Sequence, residues 1–282
     1  MQGMKIAAIA RSPEDSPNMC DKDTRLLMCI AERFTQRGHS VVFPDKHGNV
    51  PEGCHALYHM SRTATTLEQI SQCEAAGTIV VNSVAGVNNC SRRLFTEILQ
   101  REGIAQPQYR IVNTDDTTAP PPHFPVWLKR GNGWSSHPDD VCHVASTYEY
   151  AKALQSMNER GVSEAVCCEH IEGDIIKFYG ISGRGFFRWH HPNPATTKFG
   201  LEKHNGATQN HPFDEELLRS MAFKAASAIG IEIFGGDCIV TADGQIYIID
   251  INDFPSFSAY CKEAAEEIAM LIENKTDYER RK

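Results

Sequence analysis

Through the first third of the chain, short apolar runs alternate with stretches of helical spacing. Lys5 to Ile9, Ser40 to Phe43, Ala56 to Met60 and Thr78 to Asn82 read as strands. Between them, Leu26, Leu27, Ile30, Ala31 and Phe34 make a helical stripe closed by Gly38, and Leu67 and Ile70 mark a second helix. This alternation predicts a small doubly wound α/β unit. A further helix starts at Ser91, an N-cap by residue type, and runs through Leu94, Ile98 and Leu99 to Gly103. Four prolines then fall within the twelve positions from Thr114 to Pro125, which suits a connection between units. Beyond it, strand and helix patterns are mixed. Pro125 to Leu128 is a short strand leading into a glycine-containing polar loop, Thr147 to Arg160 is a helix, and Ala165 to His170 is a strand. Two strands meet at Glu172-Gly173, Gly185 to Trp189 continues the sheet, and Asp214 to Ile229 is an amphipathic helix ended by Gly230. The segment 190–212 has no periodicity and is too long for an idle connection, so it is expected to carry recognition. The tail Asp277 to Lys282 is expected to be disordered.

The sharpest pattern is Gly235 to Ser256. Asp243-Gly244 between two apolar runs predicts a two-residue hairpin turn. Counting back from that turn pairs Asp237 with Asp250, and strand alternation places Asn252 on the same face. Opposed residues have Cβ atoms about 5 Å apart, and like charges there destabilise a sheet. Either the register slips so that one aspartate turns to water, or a cation neutralises the pair. Carboxylates with an amide carbonyl are ligands that suit magnesium, and the metal is the preferred reading.

Composition places these patterns in an ordinary globular protein. The 282 residues are 41% hydrophobic and 23% charged, enough for two or three packed units. A formal charge of −8 argues against nucleic-acid binding, so an anionic ligand must be met locally. The ten cysteines show no Cys-x-x-Cys and no zinc spacing, which reads as reduced thiols. The first strand begins almost at Met1, and no apolar run approaches about 18 residues, so neither signal peptide nor membrane span is expected. The expected location is cytoplasmic.

Candidate chemistry is scattered along this frame. The first strand-to-helix turn lacks the glycine pattern of a dinucleotide site, and no P-loop occurs. Arg11, Ser12 and Arg62 lie near the crevice at the strand ends, where a substrate can sit, although lone arginines are often only solvated. Lys129, at a strand end before the polar loop, can reach a phosphate; it and Arg130 also read as two solvated cations in an exposed turn. The backbone around Glu172-Gly173 could pair with a purine ring. Lys177 points from a strand, where a cation needs an anion. In the long polar segment, Lys198, Lys203 and His204 are candidate substrate contacts. His190-His191 faces opposite ways on a strand and reads as two satisfied polar side chains rather than a metal pair.

In this order the residues resemble the ATP-grasp superfamily over nearly the whole chain. The matching series is Val80-Val81-Asn82-Ser83, Ser91-Arg92-Arg93-Leu94-Phe95-Thr96, Val126-Trp127-Leu128-Lys129, the glycine loop, Glu169-His170-Ile171, Lys177, Gly236-Asp237 and Asp250-Ile251-Asn252-Asp253-Phe254-Pro255. The resemblance implies an α+β ATP-grasp fold. An N-terminal domain would span 1–88 and an ATP-grasp domain 89–282, with a lid at about 122–168 and a metal-binding part at about 169–276, clasping ATP between two sheets. It implies that Arg93 stands where the family has a lysine near the phosphates. Lys129 would bind phosphate under a loop including Gly131, Gly133 and Ser135. Glu169 would meet the adenine amino group, His170 and Ile171 would pair with the ring through backbone, and Lys177 would lie beside the nucleotide. Asp237, Asp250 and Asn252 would hold magnesium, two ions with manganese as a substitute, and Arg188 would stand near the reacting carbonyl.

Three features depart from the ligases of that family. Asp250 replaces a glutamate, Ser256 follows Pro255 in place of glycine, and the 198–207 stretch resembles the loop of glutamate-adding ligases only at Phe199, His204 and Gly206. The implied activity is an ATP-dependent ligase joining a small carboxylate to an amine through an acylphosphate. Asp-Ile-Asn-x-Phe-Pro also resembles inositol phosphate kinases of the same superfamily, so a small-molecule kinase is the alternative, and a non-catalytic nucleotide-binding module the third reading. Homodimers are common in the family, but no exposed apolar stripe demands one.

Overall fold

β1 (Lys5–Ile9), β2 (Ser40–Val42), β3 (Ala56–His59) and β4 (Ile79–Val81) pair in parallel, in the order β2-β1-β3-β4. Parallel neighbours need long crossovers, and α1 (Cys20–Gln36) and α2 (Ala64–Ala75) supply two of them. Alternation then splits the core: Ile6 and Ala8 pack with Leu26 and Ile30, whereas Ala7 and Ile9 pack with Leu67 and Ile70. The computed structural model describes residues 3–15, 19–192 and 204–280.

Two helices, α3 (Val84–Asn89) and α4 (Arg92–Arg101), lead to a second sheet. It contains β5 (Tyr109–Asn113), β6 (Val126–Arg130), β7 (Val141–Val144) and β8 (Glu164–Glu169), antiparallel in the order β5-β8-β6-β7. Before β8, α5 (Thr147–Glu159) is capped by Ser146, whose side chain accepts from the Glu149 N–H. Tyr150, Leu154 and Met157 of this helix cover Val126, Leu128, Ala165 and Cys167. The alternate residues Trp127, Lys129 and Cys168 are thereby left on the other face.

The third sheet holds β9 (Asp174–Ile181), β10 (Phe186–His190), β11 (Ile233–Val240) and β12 (Ile246–Asp253), antiparallel in the order β10-β9-β11-β12. One face packs on α6 (Glu215–Ile229) through Ile176, Phe178, Cys238 and Ile248. Asp214 caps that helix, accepting from the Glu216 and Leu217 N–H groups at 2.9 and 3.0 Å. The strands joined at Glu172-Gly173 therefore belong to different sheets, and residues 170–173 cross between them.

The hairpin differs from its expected form in two places. Its turn contains three residues: the Thr241 N–H donates to the Gln245 carbonyl at 3.0 Å, and Gly244 adopts φ +79°. Near the turn the pairing is consequently shifted by one residue, with Val240 opposite Ile246 and Cys238 opposite Ile248. A bulge at Ile249 restores the expected register, placing Asp237 opposite Asp250.

The tail expected to be disordered is helical through Arg280. α7 (Cys261–Arg280) returns to the first sheet and packs Ala264, Ala265, Ile268 and Ile272 against α1 and its neighbours. That apolar spacing carries the helix through part of the tail expected to be disordered. Among the described residues no helix is long and apolar enough to cross a membrane.

Candidate active site

The uncovered faces of the second and third sheets enclose a cavity of about 300 Å³ that extends to the strand ends of the first sheet. Its polarity is graded by strand register. At one end Trp127 stands opposite Cys168 in one sheet, and Ile175 stands opposite Ile239 in the other. Two residues along, the rows become Lys129 on one side and Lys177, Asp237 and Asp250 on the other.

Lys177 Nζ donates to both oxygens of Asp237, at 3.0 and 3.2 Å. Arg92 Nη1 lies 3.5 Å from Asp250 Oδ1. Lys129 Nζ donates to the Ile249 carbonyl at 3.0 Å, so the bulge also supplies an acceptor. The like-charge pair inferred from the sequence is thus met by three protein cations. Burial, followed by the Arg92 charge, pushes Lys129 below its usual pKa, against the pull of Cys168, Asp250 and Asp237. Burial alone would raise Asp250, but Arg92 and Lys129, aided by Asn252, outweigh it and hold the carboxyl below its usual range.

Asp237, Asp250 and Asn252 converge as expected on one face. Among the described residues, no group of three His, Cys, Asp or Glu side chains has a metal-holding arrangement. Two carboxylates and an amide oxygen are nevertheless a hard donor set of the kind magnesium takes when water and phosphate complete its shell. The chemistry of the donors fits that ion.

The remaining candidates divide. Glu169 and Ile171 line the cavity; Glu169 Oε1 accepts from the Gln108 N–H at 2.8 Å, and the Ile171 carbonyl accepts from Asn205 Nδ2 at 3.0 Å. The His170 N–H faces the Pro125 carbonyl at 3.4 Å, while its Nδ1 accepts from Trp127 Nε1 at 3.1 Å. Its local partners are therefore protein groups. Gly133 and Ser135 line the cavity, whereas Gly131 is pinned between the Glu164 carbonyl and the Arg93 N–H.

Arg93 does not reach the cavity. It pairs with Glu97 at 3.0 Å and Glu164 at 2.7 Å on the outer side of α4, and Arg92 takes the inner position. Arg188 shares a cross-strand row with Tyr179, but its side chain pairs with Glu263 of α7 outside the cavity lining. His204 stacks on His143 with ring centroids 4.4 Å apart. Lys198 and Lys203 lie outside the described residues.

Arg11 and Arg62 line the cavity and are largely buried around Asp253. Arg62 Nε donates to Asp253 Oδ1 at 2.9 Å, and Arg11 Nη2 donates to the Phe254 carbonyl at 3.0 Å. Sequence reasoning missed Asp253 as their partner and Arg92 as a site residue. It also missed the apolar end formed by Trp127, Cys168, Ile175 and Ile239, although strand alternation from Lys129, Lys177 and Asp237 points to those positions.

The three-sheet arrangement, with an interior cleft between two antiparallel sheets, is that of ATP-grasp proteins. A D-alanine–D-alanine ligase from Bacillus anthracis, solved in complex with ATP, superposes with a TM-score of 0.73 at 14% identity, covering 99% of each chain. A RimK-domain ATP-grasp protein from Sphaerobacter thermophilus gives 0.66 at 17% identity, over 95% of this chain and 99% of that one. The D-alanine–D-alanine ligase of Coxiella burnetii gives 0.72 at 13%, over 99% and 97%. No protein-family model and no curated protein matches the sequence. The chain has the ATP-grasp fold.

Proposed function

We propose that the protein is an ATP- and magnesium-dependent ligase that joins a small carboxylate to an amine through an acylphosphate. The observation that carries this reading is the graded slot: an apolar end lined by Trp127, Cys168, Ile175 and Ile239 leads to Arg92, Lys129 and Lys177 beside Asp237, Asp250 and Asn252. A flat apolar group joined to a polyanion matches that gradient. The ATP complex of the Bacillus anthracis ligase supports the same assignment by analogy of fold.

In this reading Asp237, Asp250 and Asn252 would hold magnesium, which supplies charge neutralisation on the phosphates when bound. Lys129 and Arg92 bind and align the γ-phosphate, and Lys177 sits beside the nucleotide. Trp127, Cys168, Ile175 and Ile239 exclude water from the base end. The loop bearing Gly133 and Ser135 covers the phosphates and shields the acylphosphate, formed when a substrate carboxylate attacks, from hydrolysis. The amine then displaces phosphate. Arg188 would leave Glu263 to meet the developing oxyanion; their exposed ion pair is worth only about 0–1 kcal/mol, so a substrate charge competes with it. The substrate end is the region of Arg11 and Arg62. Because both are bound to Asp253, the dense basic pocket that a polyphosphate-phosphorylating kinase would want is weakened there. The ten free cysteines suit a reducing, cytoplasmic setting.

ADP and phosphate release, measured with magnesium and ATP across pools of amino acids, other small acids, amines and polyols, tests the reading, with Asp250→Ala as control. Phosphate equal to ADP, dependent on both an acid and an amine, is expected. ADP without phosphate, given a polyol, would replace the ligase with a kinase, and ATP binding without turnover on any acceptor would leave a binding module.

A further inference from the structure

Trp127 presents a broad apolar surface to the slot, and its orientation is fixed from several sides. It lies on β6 two residues before Lys129, hence on the same face, opposite His143 on one neighbouring strand and Cys168 on the other. His143 meets the indole edge-on with centroids 5.0 Å apart, and His204 does so at 5.6 Å. His170 lies tilted at 6.2 Å and provides the Nδ1 that accepts the indole N–H at 3.1 Å. Three imidazoles from separate segments thus collar one ring. Across the slot stand Ile175 and Ile239, a cross-strand pair. Strand alternation alone would accept any apolar residue at 127. An indole held by a hydrogen bond and facing an aliphatic wall instead builds a flat slot, whose natural occupant is a planar aromatic ring.

We propose that Trp127 is the base-selecting wall of the slot, stacking on a purine, and that His170 is the positioning residue that fixes the indole through Nδ1. The inference rests on the nucleotide reading above and adds to it the residue that discriminates among bases. Stacking energy grows with the ring area covered, so a purine gains more from the indole than a pyrimidine does. Nδ1 accepts only while it carries no proton. Burial, opposed by Glu172 and assisted by His204, lowers the His170 pKa; burial, His204 and His170 lower His143, against Glu149. The acceptor is therefore available at neutral pH and is lost once the medium is acidic enough to protonate His170.

Equilibrium titration of the full chain with the magnesium complexes of ATP, GTP, CTP and UTP tests this without any second substrate. The wild-type protein is expected to prefer purines. Trp127→Leu should weaken ATP binding about ten- to a hundredfold, the scale of one base-on-aromatic stack, and bring the purine-to-pyrimidine ratio close to unity. Trp127→Phe, which keeps a ring without the N–H, should retain much of that ratio and guards against misfolding of the leucine variant. His170→Phe should weaken ATP binding, and His170→Asn, whose amide oxygen can replace Nδ1 as acceptor, should restore it and remove the loss on acidification expected of the wild type. A wild-type ratio in folded Trp127→Leu overturns the wall, and unchanged binding in His170→Phe overturns the positioning role. A wild-type chain that binds none of the four nucleotides overturns the nucleotide reading itself, and the base-selecting role with it.

Discussion

Lys129 shows what a single residue in this cleft faces. Buried, with a backbone carbonyl as its hydrogen-bond partner and Arg92 nearby, it is a cation short of negative charge, and an incoming phosphate relieves that shortage. Arg92 and Arg93, adjacent on α4, sit in opposite environments. The inner face of this helix carries Arg92, Phe95, Thr96 and Leu99; the outer face carries Arg93 and Glu97, an i, i+4 pair. Arg92→Ala is expected to weaken ATP binding at least about tenfold, the scale of a hydrogen bond to a charged group. Arg93→Ala should change it less than about twofold, as for ordinary surface substitutions. Titration calorimetry on the two variants separates the alternatives. The resemblance points to Arg93, whereas the structure places its neighbour Arg92 in the cavity, one residue and about 100° of helix rotation away. Leu94, expected on the buried stripe, is 39% exposed, and Phe95 is buried in its place. The readable signal was Phe95, three residues beyond Arg92 on the same face.

At the scale of elements, the hairpin was legible in outcome more than in detail. Asp243-Gly244 announced a turn but not its length, and the expected pairing of Asp237 with Asp250 holds because Ile249 bulges after a three-residue turn. The bulge has no signature in a run of isoleucines and one tyrosine, where every residue suits a strand. What holds the two strands close is Gly236: a Cβ there would lie 2.4 Å from the Asp250 carbonyl oxygen and 2.5 Å from Cζ of the buried Phe178. Gly236→Ala is therefore expected to cost about 1–3 kcal/mol or more by overpacking, and to weaken magnesium-ATP binding by pushing Asp237 away from Asp250. Gly244→Asn should cost less and leave nucleotide binding near wild type, because asparagine tolerates the left-handed backbone at the turn and its Cβ meets only the Pro212 carbonyl oxygen, at 3.1 Å. Urea unfolding and nucleotide titration on the pair check this; equal effects would mean that the turn, rather than the close approach, sets the site.

At the scale of the whole molecule, the three sheets meet in contacts that local sequence does not announce. Asn82, after β4, accepts from the Glu232 and Ile233 N–H groups and donates to the Ile233 carbonyl, fastening the first sheet to β11. Arg62 reaches Asp253 across 191 residues of sequence, and Arg11 reaches the carbonyl of the same residue across 242. Periodicity revealed the elements that carry these residues, but a partner two hundred positions away leaves no periodic trace. Arg11 and Arg62 read from sequence as substrate contacts, yet each already serves as an internal clamp beside the substrate end of the cleft. Removing one partner of a buried ion pair exposes the others to an uncompensated charge, so Asp253→Asn is expected to destabilise the protein by about 3–5 kcal/mol. Replacing Asp253 and Arg62 together by Leu and Met should recover only the part of that loss that falls on Arg62, because Arg11 stays buried with Asp23 at 3.9 Å and backbone carbonyls, those of Met60 and Phe254 among them, as its remaining partners. Burial would raise the Asp253 pKa, but Arg62 and Arg11 overcome it and hold the value below its ordinary 3.8. The unfolded chain therefore binds the proton more readily than the folded one. The stability Asp253 contributes is present above 3.8 and is lost as pH falls through the lower folded value. Urea midpoints compared from about pH 7 down to about pH 3 should accordingly fall more steeply for the wild type than for Asp253→Asn. Parallel curves would mean that the two arginines are compensated elsewhere, and that this carboxylate does not join the sheets.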